Sequence, residues 1–186
     1  MHRFLRPILL LALAVAIACS DANSIGDPTE ANAIDTVTLW ALEGTPIAVP
    51  SGYNISGGAI RTDQRVDFEF AYNVRKLADG TYQRVFLPRA ALGLSSTDAD
   101  PALIRRDQTF DEITRAPNNG YTADSAVPIQ QGERYVVRSR VVCTSLGVPL
   151  YGKLEILSFG DSTVTFKVLT DLNCGFKDLL PGLPDN

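Results

Sequence analysis

Apolar and polar residues alternate with a period of two through much of the chain from Val37 onward, and this pattern constrains the fold more than any other feature. In the clearest stretch, residues 66–74, the apolar set is Val66, Phe68, Phe70, Tyr72 and Val74. The intervening positions hold Asp67, Glu69, Ala71 and Asn73. Because successive side chains of a strand point to opposite faces, the pattern predicts an antiparallel strand with one buried and one solvated face.

Turn residues divide the other alternating stretches into hairpins. Asp79-Gly80 predicts a tight turn, followed by a returning strand over 82–87 that Pro88 ends. β-Branched and aromatic residues over 135–142, 154–159 and 163–169, with breakers at 147–149 and 160–161, predict a second meander. The sequence therefore predicts an all-β fold: a single antiparallel β-sandwich or barrel-like domain with one or two short helices.

Two segments between these groups of strands carry signals for the start of a helix. Asp100 and Pro101 fit the N-cap and the first helical position of a helix over 100–106. Thr109 and Glu112 have the spacing of a capping box, which predicts a turn or two within 109–115 before Pro117. We expect both segments to be short helical connectors.

The N-terminal residues have the organisation of an export signal. Arg3 and Arg6 precede an apolar run over 8–18, which leads directly to Cys19. The run is too short to cross a bilayer, which needs roughly 20 apolar residues. Because the pattern resembles a bacterial lipoprotein signal, we expect cleavage after residue 18, diacylation of Cys19 and anchoring in the cell envelope. Ser20, where Asp would favour inner-membrane retention, favours the outer membrane.

The mature chain predicted from this cleavage is acidic and lacks several reactive side chains. Without Arg3 and Arg6 it holds 15 basic and 21 acidic residues, a formal charge of −6, which argues against binding to nucleic acid. The cleaved segment also contains His2 and Met1, the only histidine and methionine. Nucleophiles activated by histidine and zinc sites built on histidine are therefore excluded from the mature chain. Residues 20–36 are small and polar, which predicts a flexible tether. The predicted organisation is therefore a signal peptide over 1–18, a flexible tether over 19–36 and an all-β domain over 37–186.

Cys143 and Cys174 remain after lipidation of Cys19, and an exported protein meets an oxidising environment. The directions of the predicted strands bring both cysteines to the same end of the sheet, as a disulfide requires. We therefore predict a Cys143–Cys174 disulfide that closes a loop of 32 residues. The alternative is that both stay free as small buried apolar side chains.

Carboxylates supply the remaining candidates for chemistry. Asp67 and Glu69 lie on one face of the predicted strand, about 6–7 Å apart at Cα, a separation compatible with a carboxylate-dependent enzyme acting on glycans. The alternative is that they belong to a solvated strand face. Asp98 and Asp100, with Asp107, are candidate calcium ligands, and the alternative for them is a loop with a helix cap.

Aromatic and basic side chains offer possible binding surfaces. A stacking platform for sugars or a docking patch for a protein would use exposed aromatic rings, although most rings at alternate positions belong to the core. Arg138 and Arg140 share one face of a predicted strand, which indicates an exposed, charged edge. The candidate aromatic residues are Trp40, Tyr53, Tyr72, Tyr82, Tyr121, Tyr135 and Tyr151.

Strand and turn patterns in the C-terminal half resemble those of HmuY-type lipoproteins, β-rich bacterial surface proteins of which some bind haem. The stretches that carry the resemblance are 109–117 (TFDEITRAP), 120–124 (GYTAD), 132–138 (GERYVVR), 151–157 (YGKLEIL) and 164–168 (VTFKV). The resemblance implies a lipid-anchored all-β domain closed by a final meander. Haem ligation in that family uses His or Met, which this mature chain lacks, so no ligand residue carries over.

These patterns together predict a non-catalytic, lipid-anchored envelope protein that acts as a binding or interaction module without a cofactor. Its expected membrane contact is the lipid on Cys19, and its partner is a protein or glycan that the sequence does not identify. The alternatives are a haem or small-ligand carrier of the HmuY type and a glycan-active enzyme that uses Asp67 and Glu69.

Overall fold

The computed structural model describes residues 26–95 and 100–184. The predicted signal peptide and Cys19 lie outside the described residues, as does Asp98. The described residues form ten strands in two antiparallel five-stranded sheets, packed as a β-sandwich. The strands are β1 (Ala33–Trp40), β2 (Gly52–Asn54), β3 (Gly58–Ile60), β4 (Phe70–Lys76), β5 (Tyr82–Pro88), β6 (Ala102–Arg106), β7 (Val127–Pro128), β8 (Arg134–Cys143), β9 (Val148–Phe159) and β10 (Thr163–Asp171).

The two sheets are built around the two hairpin groups that the turn residues predict. The first, the long sheet, has the strand order β1-β10-β9-β8-β6, and the second, the hairpin sheet, has the order β3-β2-β4-β5-β7. The hairpin of β4 and β5 turns at Asp79-Gly80, where Gly80 has a φ of 87° and Asp79 accepts a hydrogen bond from the Thr81 backbone. The predictions of this hairpin, of the C-terminal meander and of an all-β sandwich are confirmed.

Aromatic rings fill the space between the sheets. Tyr53, Phe70 and Phe86 of the hairpin sheet contact Phe166 of the long sheet, with ring centroids 5.5–6.1 Å apart. Phe86 also meets Tyr135 of the long sheet edge-on, at 6.2 Å. Buried aromatic pairs with these separations add stability beyond the area that they bury. The period of two thus places Phe70, Tyr72 and Phe86 in the core. The prediction of one buried and one solvated face over 66–74 is wrong, because Val66 lies before β4 and is exposed, whereas Ala71 and Asn73 on the other face of β4 are also buried.

A second, smaller core lies on the outer face of the long sheet. Phe110 and Ile113, from the segment that follows β6, pack with Leu179 against Val136 and Leu169 of the sheet. The buried Lys153 donates hydrogen bonds to the backbone oxygens of Phe110 (2.7 Å) and Ile113 (3.0 Å). The long sheet is therefore buried on both faces over part of its area.

The predicted helix over 100–106 is wrong, because Ala102–Arg106 forms strand β6. This strand pairs with β8 at the edge of the long sheet, and its Ala102 and Leu103 are buried. The Thr109–Glu112 capping box is present, with Glu112 accepting from the Thr109 backbone (2.9 Å), but it closes a single turn. Pro149, predicted as a breaker, lies within β9, and a 3₁₀-helix that was not predicted covers Arg89–Leu92.

The predicted boundary between tether and domain at residue 36 is wrong. Strand β1 begins at Ala33, and Asn32 pairs with Gly182 before it. The side-chain oxygen of Asn173 accepts hydrogen bonds from the backbones of Thr29 and Glu30 (2.8 and 3.0 Å). The small, polar composition of residues 29–36 does not predict this backbone pairing, because the pairing depends on partners near the C-terminus.

Candidate binding cleft

A cleft of about 310 Å³ opens between the start of β5, the segment that follows β7 and the end of β9. Its wall combines apolar surface with side-chain amides and one cation. The lining residues are Tyr82, Gln83, Arg84, Pro128, Ile129, Gln130, Gln131 and Phe159. We call this feature the Tyr82 cleft.

The short strand β7 creates the Tyr82 cleft by leaving part of β5 uncovered. Strand β7 pairs with only Val85 and Phe86 of β5, and Pro128 is its last residue. The chain then stays beside β5 through one bond, from the Ile129 backbone to the Arg84 oxygen (3.0 Å). Tyr82 lies beyond this bond, and 69% of its surface is exposed. The exposed ring therefore stands at the open edge of the hairpin sheet.

Arg84 supplies the positive charge of the cleft. Its guanidinium lies over the ring of Phe159, 4.7 Å from the centroid, and donates to the Gly160 oxygen (3.2 Å). Among the ion pairs between residues that the structure describes, none includes Arg84. A guanidinium held against an aromatic face keeps its charge and is partly shielded from water.

The disulfide end of the sandwich, where β8 ends and β9 begins, lies opposite the Tyr82 cleft. Cys143 and Cys174 are there at disulfide-bonding distance, with their Cα atoms 5.8 Å apart, as the strand directions predict. Beside them is a second cleft of about 200 Å³. Its lining residues are Gly26, Asp27, Thr29, Leu146, Leu172, Asn173, Cys174 and Phe176. Because Gly26, the first described residue, lines this cleft, the described chain begins at the disulfide end.

The prediction that Asp67 and Glu69 share one solvated strand face is wrong. Strand β4 begins after both residues, at Phe70, and Glu69 is only 2% exposed. Its carboxylate accepts a hydrogen bond from the Ile55 backbone (2.7 Å), and burial raises its pKa to about 8. Asp67 instead pairs with the exposed Arg65, and this bond lowers its pKa. Neither carboxylate lines the Tyr82 cleft or the cleft at the disulfide end.

The other predicted candidates are dispersed over the molecule. Asp100 accepts a hydrogen bond from Ser95 (2.6 Å), whereas Asp107 is exposed beyond β6. Groups of three or more His, Cys, Asp or Glu side chains suited to a metal do not occur in the described parts of the chain. The exposed, charged edge predicted for Arg138 and Arg140 is wrong, because β8 lies between β9 and β6 and both side chains are half-buried. Arg138 lies over the ring of Tyr121, 5.0 Å from its centroid, while Arg140 lies where the register of β8 shifts between Arg138 and Val141.

The tyrosines divide between the core and the surface. Tyr53, Tyr72 and Tyr135 are fully buried, and Tyr151 packs in the second core. Trp40 and Tyr121 are half-buried. Tyr82 is the largely exposed member of the predicted aromatic set, so its ring is the most accessible to a ligand. Sequence reasoning did not single out Arg84 or Phe159. The one local signal that could have indicated them is that Arg84 lies near the start of β5 and Phe159 at the end of β9, each close to a hairpin turn.

No helix within residues 26–95 or 100–184 is long and apolar enough to cross a membrane. Comparison of the chain with models of protein families, with curated proteins and with solved structures finds no match.

Proposed function

We propose that this chain is a non-catalytic, lipid-anchored protein of the bacterial cell envelope that binds its ligand in the Tyr82 cleft. The export signal that ends at Cys19 supports the anchor, and Ser20 supports the outer membrane as its location. The fold supports the binding role, because the cleft combines an exposed ring, three amide side chains and a cation from β5, β9 and the segment after β7.

The observation that carries this proposal is the placement of the two ends of the sandwich. Strand β9 runs from the disulfide end, where the described chain begins, to Phe159 in the Tyr82 cleft. At about 3.3 Å per residue, its twelve residues separate the two ends by roughly 35 Å. An anchor at one end therefore leaves the cleft facing away from the membrane.

The length of the connection to the anchor supports the same orientation. Six residues lie between Cys19 and Gly26, so even a fully extended connection of seven Cα–Cα steps spans at most about 25 Å. The hydrogen bonds from the Thr29 and Glu30 backbones to Asn173 fix the point at which the chain enters the sandwich. Lipid on Cys19 would hold the disulfide end closer to the bilayer than the Tyr82 cleft.

Membrane fractionation of cells that express the full chain or a Cys19→Ser variant tests the anchor. We expect the unmodified protein to stay in the membrane pellet through washes with high salt and high pH, and to be released by detergent. The Cys19→Ser chain should lack incorporated fatty acid. Release of the unmodified protein by salt alone, or the absence of fatty acid on Cys19, would refute the anchor.

Binding at the cleft can be tested without knowing the natural ligand. The mature protein in detergent is screened by NMR against a library of small fragments, and the perturbed backbone amides are mapped. We expect the amides of Ile129 and Gln131 to respond to more fragments than those of the second cleft, such as Leu172 and Phe176. Tyr82→Ala should weaken these responses, whereas hits spread evenly over the surface would contradict the assignment of the cleft.

A further inference from the structure

The lining of the Tyr82 cleft has one positive charge and no negative charge. Of its eight described residues, Arg84 alone is charged, three carry amides, Tyr82 carries a hydroxyl, and the other three are apolar. The chain as a whole is acidic, with 21 acidic and 17 basic residues, so a lining with a cation and no carboxylate departs from the rest of the molecule. Such a lining favours an anionic ligand over a cationic one.

The setting of Arg84 suits a planar anion. Phe159 supports one face of the guanidinium, and the Gly160 oxygen accepts one of its five N–H groups. The guanidinium is therefore fixed in direction, and its charge is not neutralised by a described carboxylate. A carboxylate is the small anion that matches this planar group with two parallel hydrogen bonds.

The remaining wall suits a sugar ring. The faces of a pyranose expose C–H groups, and its rim carries hydroxyls that both donate and accept hydrogen bonds. Tyr82 offers an exposed ring to the C–H face, and the amides of Gln130 and Gln131 can donate to and accept from hydroxyls. The side-chain oxygen of Gln83 already accepts from Arg75, which leaves its NH₂ group as a donor.

The size of the cleft limits the length of the ligand. At about 310 Å³ it lies at the lower end of the roughly 300–1,000 Å³ typical of small-molecule sites. We infer that the Tyr82 cleft binds a short or terminal acidic saccharide, with its carboxylate on Arg84 and a sugar face on Tyr82. This inference rests on the proposed function, since it names the ligand class of the same cleft.

The experiment compares two probes with the same saccharide backbone, one with free carboxylates and one with those groups esterified and uncharged. Binding of trigalacturonate and of its methyl ester to the mature protein in detergent is measured by calorimetry. A hydrogen bond to a charged group is stronger than one between neutral groups, so we expect the acid to bind ~10-fold more tightly than the ester, or better. Equal affinities would overturn recognition of the carboxylate, and binding of neither probe would overturn the ligand class.

Variants assign the difference in affinity to the two residues. Arg84→Gln should remove the preference for the acid, and Tyr82→Ala should weaken both probes, while Tyr82→Phe keeps the ring and should bind like the unmodified protein. Arg115→Gln is the matched control, because it removes an exposed arginine from the segment after β6, outside the lining. An equal loss in Arg115→Gln and Arg84→Gln would show attraction by overall charge and overturn the assignment to Arg84.

Two further results separate the inference from the proposed function. A tripeptide with a free C-terminal carboxylate serves as a second acid, and if it binds while trigalacturonate does not, the saccharide class is wrong. If NMR fragments still perturb Ile129 and Gln131 while neither saccharide binds, the inference fails and the proposed binding cleft stands. Because the comparison of acid with ester uses the unmodified protein, it decides the inference even if Arg84→Gln does not fold.

Discussion

Glu69 is a buried carboxyl group that takes part in none of the ion pairs between described residues. It is 2% exposed, and its side chain accepts a hydrogen bond from the Ile55 backbone (2.7 Å). Burial raises its pKa from the ordinary value of 4.5 to about 8, with Arg140 opposing the rise and Asp67 adding to it. The folded chain therefore binds a proton at Glu69 that the unfolded chain releases above about pH 4.5.

We expect the contribution of Glu69 to stability to fall as the pH rises from about 4.5 to about 8. A group that binds more protons in the folded state makes the free energy of unfolding fall with pH. Glu69→Gln keeps an acceptor for Ile55 and cannot ionise, so it should be more stable than the unmodified protein at pH 8.5 by on the order of 2–4 kcal/mol. Urea denaturation at pH 5, 7 and 8.5 measures the difference.

Glu112→Gln is the matched control for this pH series. Glu112 is exposed, and its bonds to Thr109 lower its pKa, so its replacement should not reduce the loss of stability above pH 5. If Glu69→Gln lost stability with pH as steeply as the unmodified protein does, the buried carboxyl would not be the cause. The burial of Glu69 could not be predicted from the sequence alone, because the alternation that correctly buries Phe70 also predicts that Glu69 faces solvent.

At the scale of elements, Lys153 fixes the segment after β6 to the outer face of the long sheet. Its ammonium group bonds the backbone oxygens of Phe110 and Ile113, and both bonds are buried. Lys153→Met fills similar space but leaves two buried oxygens without donors, so we expect the free energy of unfolding to fall by about 2–4 kcal/mol. Chemical denaturation measures the loss, and faster hydrogen exchange at Ile113 and Ala116 would locate it.

Lys167→Met is the control for Lys153. Lys167 lies over the same Phe110 ring, 3.9 Å from its centroid, but it is partly exposed and pairs with Glu155. Partly exposed pairs contribute little, so this change should cost less than about 1 kcal/mol. Similar losses in both variants would mean that general attraction of charge to Phe110 holds the segment, rather than the two hydrogen bonds.

Elements set by local signals were predictable, and those set by distant partners were not. Asp79-Gly80 fixes its hairpin within a few residues, whereas Ala102–Arg106 becomes a strand only because it pairs with β8. The helix signals of Asp100 and Pro101 are weaker than burial of Leu103 against that strand. The Tyr82 cleft was hidden for the same reason, since Arg84 and Gly160 meet from positions 76 residues apart.

At the scale of the molecule, the Cys143–Cys174 pair ties the turn after β8 to the segment that holds the N-terminal residues. Asn173, next to Cys174, accepts from the backbones of Thr29 and Glu30. A disulfide closing 32 residues contributes about 3–4 kcal/mol in the chain-entropy model, so the Cys143→Ser/Cys174→Ser variant should lose about this much. Urea denaturation measures it, and the reduced unmodified protein should match the variant, whereas unchanged stability would contradict the prediction.

The separation of the two ends also predicts how the molecule stands on a membrane if it carries the proposed lipid on Cys19. Asp27 lies at the disulfide end and Gln131 lies in the Tyr82 cleft, and both are exposed. With a fluorophore on Asp27→Cys or Gln131→Cys in lipid vesicles, energy transfer to an acceptor lipid should be much stronger from position 27, because about 35 Å of strand separates the ends.

The proposed lipid on Cys19 holds the protein at the vesicle surface. Chains with Cys19→Ser should therefore show no energy transfer to the acceptor lipid from either position. Equal transfer from positions 27 and 131 in the anchored protein would mean that the sandwich lies on its side. The Tyr82 cleft would then face along the bilayer, where it meets neighbouring membrane components. Strong transfer from position 27 alone would leave the cleft open to ligands that arrive from the aqueous phase, as a short acidic saccharide does.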